Sequence, residues 1–220
     1  PWIDIRLRCG GALYVLVERI LPDSHAARGL LRNAEERMPC LWSTNGMRQE
    51  LLPGEGAPLI STALDPLHIR RRFDPPRRLI VSGGDPGALA LAHLAANAQF
   101  DTILLRPAGP SGPPPFAEVR YLREEPSRSL PTIGVDRWTA YVGATHEDHH
   151  DLGGCLYALR HGAGYVGMIG AKSRSPERLA ALEAAGATRK ELAKLRLAPG
   201  IAGLGKAPWE VAVAILAEVM

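Results

Sequence analysis

The sequence predicts an α/β protein with a mostly parallel sheet, preceded by a small α+β domain. Three observations carry this expectation. From residue 78 onward, short apolar runs alternate with helical patterns, the order that generates parallel βαβ units. A glycine-rich turn, Ser82-Gly83-Gly84-Asp85-Pro86-Gly87, lies between the first such run and its helix. Asp74-Pro75-Pro76, flanked by Arg70-Arg71-Arg72 and Arg77-Arg78, interrupts the pattern and divides the chain into residues 1–74 and 75–220.

In the first region, residues 3–8 alternate apolar and polar as a strand does. Cys9-Gly10-Gly11 breaks the run, and residues 12–20 resume it as a second strand. Paired glycines inside a sheet indicate a bulge or a close backbone approach. Residues 24–37 read as an amphipathic helix capped by Asp23 or Ser24. Residues 40–44 form a strand closed by the Asn45-Gly46 hairpin signal. Residues 67–73 read as a last, charged edge strand.

The second region supplies strands at 78–82, 102–105, 118–122, 139–145 and 165–169. Helices follow at 86–98, 151–160, 176–185 and 189–195, and a last one runs from Pro208 to the end. Ser175-Pro176-Glu177 opens one of them, with serine as N-cap and proline at the first helical position. The Pro/Gly-rich loop at 107–115 is long enough to carry function. This is a Rossmann-like pattern.

Composition narrows the classes. The 220 residues carry a net charge of +3 and no Lys/Arg stripe interleaved with aromatics, which argues against nucleic acid as a partner. No apolar run is long enough to span a membrane. Cys9, Cys40 and Cys155 are widely spaced and odd in number, so no disulfide framework is expected and a cytoplasmic location is.

Four segments bear chemistry. Tyr165-Val166-Gly167-Met168-Ile169-Gly170-Ala171-Lys172-Ser173-Arg174 reads as a buried strand entering an anion-sized loop, with Lys172 and Arg174 beside free amides. Gly84 and Gly87 fit the second and third glycines of a dinucleotide fingerprint, but Ser82 stands for the first. Asp85 would take the amides that should meet pyrophosphate, and Pro86 removes another. A carboxylate about 4 Å from a phosphate charge costs about 1 kcal/mol in water and about four times that in a partly buried site. A helix dipole offers only about 0.3–1 kcal/mol. NAD is therefore disfavoured. Arg106, where an acidic ribose partner would stand, makes NADP less implausible than NAD.

Thr145-His146-Glu147-Asp148-His149-His150-Asp151 is the densest polar run, placed after the fourth strand of the region. His146, His149, His150 and Asp151 could in principle coordinate a metal, but no second ligand cluster follows, and no metal site is expected. Asp151 could equally cap a helix beginning at Leu152. Cys9 beside its glycines suits either a soft ligand or a small buried hydrophobe.

Together these motifs resemble the XdhC/CoxI family of xanthine dehydrogenase accessory proteins. Cys9-Gly10-Gly11 and the apolar run to Glu18 are similar to the family's opening. Thr145-His146 through Asp151 resembles its Thr-His-Asp…Asp segment. The 165–174 run resembles its Tyr-Val-Gly-Met-Ile-Gly-Ser-basic loop, with Ala171 for serine. Pro208-Trp209-Glu210 and the residues to Glu218 resemble its closing helix.

The resemblance implies a carrier of molybdenum cofactor, that is molybdopterin with or without an attached nucleotide. Such a carrier assists sulfuration by a cysteine desulfurase and insertion into a molybdenum hydroxylase of the xanthine dehydrogenase or CO dehydrogenase type, without turnover of its own. A homodimer is a compatible assembly. The expected cofactor-binding residues are Cys9, Gly10, Gly11, Gly84, Gly87, Thr145, His146, Asp151, Gly167, Gly170, Lys172 and Arg174. The sequence departs from the family at Ser82-Gly83-Gly84-Asp85, at Arg106, and at Pro199 to Gly205, which lacks an aspartate. The alternatives are an NADP-linked oxidoreductase, a metal-dependent hydrolase and a dimeric docking scaffold.

Overall fold

The computed structural model describes residue 10 and residues 15–113 and 115–220. The chain divides into two units, Pro1–Pro75 and Pro76–Met220. The strand expected at 3–8, together with Cys9 and Gly11, lies outside the described residues.

In the first unit, α1 (His25–Glu35) starts at Ser24, whose hydroxyl accepts from Ala27 N–H at 3.4 Å. β1 (Cys40–Thr44) and β2 (Gln49–Pro53) form the expected hairpin. Asn45 Oδ1 accepts from the backbone N–H groups of Met47 and Arg48 at 3.0 and 2.9 Å, the side-chain turn that asparagine favours. β3 (Ile60–Leu64) and β4 (Leu67–Phe73) complete an antiparallel sheet of order β2-β1-β4-β3.

Two expectations are corrected here. Residues 67–73 are an inner strand rather than an edge, because β3 pairs along their outer side. The sequence hides β3, since all five of its residues stay exposed and no alternation marks it. Residues 15–20 form no strand. Val15 and Val17 are exposed there, and the half-buried Glu18 meets the hairpin through its side chain, accepting from the Thr44 hydroxyl and Gln49 Nε2, rather than through a strand ladder.

The second unit holds β5 (Arg78–Gly83), α2 (Pro86–Asn97), β6 (Asp101–Leu105), β7 (Arg120–Leu122), α3 (Pro126–Ile133) and β8 (Thr139–Ala144). α4 (Asp148–Arg160), β9 (Tyr165–Met168), α5 (Ser175–Ala184), α6 (Arg189–Leu192), β10 (Leu195–Leu197) and α7 (Pro208–Val219) follow. All six strands pair in parallel, in the order β10-β9-β8-β5-β6-β7. Counted from β5, this is the doubly wound Rossmann order, and its switch point lies between β5 and β8.

Both faces of the sheet are covered. Leu79 and Val81 point into one core with Leu91, Ala95 and Ile215, where α2 and α7 pack together. Ile80 and Ile103 point into the other with Tyr141, Cys155 and Leu182, where α4 lies. That is why the strands read as continuous apolar runs rather than alternating ones. Each fully buried Leu or Ile contributes about 1.5–3 kcal/mol.

Four further boundaries differ from expectation. α3 carries Pro131 within it, which masks a helix in the sequence. β10 is only three residues long, and it begins where the helix was expected to end. α4 begins a turn early, so Asp151 lies inside it rather than capping it. Ser175 is the first residue of α5, preceded by a 3₁₀ turn over Lys172–Arg174, and so is not its N-cap. Among the described residues, no helix is long and apolar enough to cross a membrane.

Candidate functional site

The carboxyl ends of β5, β6 and β8 surround an open hollow of about 230 Å³. A second hollow of about 250 Å³, walled by Arg77, Arg78, Trp138 and Tyr165, opens at the opposite edge where strands begin. Open α/β sheets bind ligands at the carboxyl ends beside the switch point, so the first hollow is the candidate site.

Its floor is the turn after β5. A Cβ on Gly83 would stand 2.3 Å from the carbonyl oxygen of Ala144, and φ is +156°, so only glycine lets β5 and β8 end this close together. Over Gly84 lies the guanidinium of Arg106, with Nε 2.5 Å from where a Cβ would sit. Gly87 falls in the first turn of α2. A Cβ there would make only ordinary contact with Asp85, so no steric demand explains it.

Asp85 caps α2, its Oδ1 accepting from Ala88 N–H at 2.7 Å. Its Oδ2 lies 2.9 Å from His146 Nε2, which ties the loops after β5 and β8 together at the mouth. His146 has φ +62°, a left-handed conformation costing about 1–2 kcal/mol for an L residue. Thr145 is held from below. Its N–H and hydroxyl both donate to Asp151 Oδ1, at 3.1 and 2.8 Å, and Asp151 is fully buried. Burial raises the Asp151 carboxyl above its ordinary range, against the lowering effect of the two Thr145 bonds and the Arg178 charge. Ser82, Tyr141 and Cys155 are fully buried in the same neighbourhood, and burial likewise pushes the Tyr141 and Cys155 protons on more tightly.

The third wall is the loop after β6. Arg123 Nε donates to Gly109 O at 2.8 Å and Tyr121 O–H to Pro110 O at 2.9 Å, so its Pro107–Gly109 portion is held in place. Arg106, at its base, has no side-chain hydrogen-bond or ion-pair partner among the described residues. It faces the hollow beside Gly83, Gly84, Thr145, Glu147 and His150.

The expected basic loop is placed elsewhere. Arg174 is ion-paired to Asp148 and lies 3.7 Å from Glu177. Lys172 is exposed and does not line the hollow. Gly170 instead makes room for Arg178, whose Nη1 would stand 2.1 Å from a Cβ there and donates to Ile169 O. Gly167 lies within β9, against Pro199. Gly10 is exposed with φ +74° in the first unit. Of the expected residues, then, Gly84 and Thr145 line the hollow, His146 closes its mouth, and Asp151 braces it from beneath.

The family model described as the XdhC Rossmann domain matches residues 79–219, more than half of the chain. The chain belongs to the XdhC family. No curated protein matches it. A solved structure from Bacillus halodurans, described as a xanthine dehydrogenase, is similar at 18% identity with a TM-score of 0.63. The match covers 89% of this chain and 64% of that one, so this chain spans under two thirds of that protein's length. At such identity the likeness concerns the fold.

Within this XdhC chain, sequence reasoning missed three site residues. Gly83 was passed over because the dinucleotide pattern drew attention to Gly84 and Gly87. Arg106 was weighed only as a ribose-side residue. Glu147 carries no assigned role in the sequence, yet its carboxylate lies 3.8 Å from His149 Nε2 and 3.6 Å from His150 Nε2.

Proposed function

We propose that this chain is an accessory protein that carries molybdenum cofactor, shields it during sulfuration by a cysteine desulfurase, and helps insert it into a xanthine dehydrogenase-type hydroxylase. Membership of the XdhC family supports a xanthine dehydrogenase-associated role. The observation that carries the cargo assignment is the Arg106 guanidinium over the Gly83-Gly84 turn, at the switch-point hollow, with no side-chain partner among the described residues.

The residues present fit the phosphate end of a pterin cargo. An unpaired guanidinium presents several donors to phosphate oxygens, and such charge-assisted bonds contribute about 1.5–3 kcal/mol. The glycine turn lets the backbone approach. Asp85 also lines the hollow, with one carboxylate oxygen accepting from Ala88 N–H and the other paired with His146, which offsets part of its repulsion of a phosphate. Thr145, braced by Asp151, keeps the opposite wall in place. Modest affinity suits a carrier that must release what it holds. Cys9, the proposed soft ligand for the metal end, lies outside the described residues.

A second reading draws on the same arginine. Its place after β6 suits the 2′-phosphate of NADP, making an NADP-linked oxidoreductase the alternative. Against it, Asp85 consumes the Ala88 amide and Pro86 supplies none at the helix end where pyrophosphate would rest.

Incubation with isolated molybdenum cofactor, followed by gel filtration, tests the proposal. One cofactor should co-elute per chain, and Arg106→Ala should lose most of it. No co-elution with the parent chain, together with saturable NADPH binding, would transfer the site to the second reading.

A further inference from the structure

We infer that Glu147, His149 and His150 form a binding site for a divalent transition-metal ion, best suited to zinc, at the rim of the hollow. It stands whether or not the hollow takes a pterin. One ligand atom from each of the three lies within 4.8 Å of the others. The carboxylate oxygen is 3.6 Å from His150 Nε2 and 3.8 Å from His149 Nε2. Zinc bonds of about 2.0–2.2 Å in tetrahedral geometry require ligand separations of about 3.3 Å. The two carboxylate–imidazole separations then contract by about half an ångström or less and the imidazole–imidazole one by at most about 1.5 Å, a movement that rotamers of the exposed His149 and Glu147 side chains at the start of α4 supply.

Glu125 adds an independent observation. From the N-cap position of α3, outside the trio, its carboxylate is paired with His150 Nδ1. A carboxylate on the far ring nitrogen fixes the tautomer and orientation that present Nε2 to a metal and makes the imidazole a stronger donor. His150 is also the most sheltered of the three, its side chain 12% exposed. The two rings lie 3.8 Å apart, and each has its Nε2 within 4 Å of the Glu147 carboxylate.

Two imidazoles and one carboxylate match the borderline chemistry of zinc better than that of magnesium or calcium, which prefer oxygen alone. Three protein ligands leave a fourth position open. Glu147 and His150 both line the hollow, so that position is available to a guest atom. His146 and Asp151, the other residues of this run able in principle to coordinate a metal, take no part. They are engaged with Asp85 and Thr145.

The test uses the full chain without a histidine tag, titrated with Zn2+ alone against a competing chelator. One ion should bind per chain. His149→Ala and His150→Ala should each weaken binding at least tenfold, and Glu125→Gln should weaken it about tenfold or more. His161→Ala, at the far end of α4, should leave it unchanged. Co2+ in the parent chain should show the intense visible bands of a tetrahedral ion, lost in His149→Ala. His149 is exposed, so this variant folds independently of the outcome. Absence of stoichiometric zinc, or binding unaffected by both His149→Ala and His150→Ala, would overturn the site.

Discussion

Gly83 and Gly87 belong to one turn yet answer to different forces. Gly83 is wedged against the backbone of β8, where nothing can yield. Gly87 sits in a helix where an added Cβ would make only ordinary contact with the Asp85 carboxylate. Gly83→Ala should therefore destabilise the chain by about 1–3 kcal/mol, as overpacking does. Gly87→Ala should be neutral or stabilising by up to about 1 kcal/mol, since alanine orders less chain entropy into a helix. Urea unfolding of both variants checks the contrast, and equal losses would contradict it. This difference was not legible in the sequence, where Gly87 matches a glycine pattern and Gly83 falls at one of its unspecified positions. A pattern records residue types; the collision with Ala144 O arises from a strand sixty residues away.

At the scale of elements, the Thr145 loop and the first turn of α4 act as a unit through Asp151. Burial makes the folded chain bind the Asp151 proton more tightly than the unfolded chain does. The stability linked to this group is whole below its unfolded value, about 3.9, and is lost as pH rises through the raised folded value. Asp151→Asn keeps an acceptor for Thr145 but has no proton to lose. Its stability relative to the parent should climb as pH rises above about 4, read from urea unfolding at each pH. A difference that stays constant across that range would contradict the raised carboxyl. Long apolar elements such as β5, α2 and α7 were legible because burial on both faces, proline at the first turn and a glycine after the strand all agree. β3, β10 and α3 were not. Their lengths are short, their faces exposed, or a proline stands inside, and only pairing with distant strands or packing on α4 stabilises them.

Across the whole molecule, strand order explains why residues far apart in the sequence share one site. The crossover between β5 and β8 brings the turns at residues 83–85 and 145–147 together, and β6 delivers Arg106 to the same edge. The sequence places its densest polar run after the fourth strand of the unit, and β8 delivers that run to the switch point beside β5. The sequence pattern assigns the cationic role to Lys172 and Arg174 because they follow a glycine-bearing strand, whereas Arg174 is held by Asp148, an acid no local pattern pairs with it. The cation at the hollow is Arg106, which the sequence presents as a departure from the family.

Recognition of a phosphate by Arg106 is the claim on which the carrier reading turns. The most direct measurement is fluorescence titration of the chain with metal-free molybdopterin and with its dephosphorylated form, in parallel with Arg106→Ala. The phosphorylated pterin should bind at least about tenfold more tightly, equivalent to about 1.4 kcal/mol, and Arg106→Ala should erase the preference. Equal affinity of the parent chain for the two forms, or a preference that survives Arg106→Ala, would contradict it.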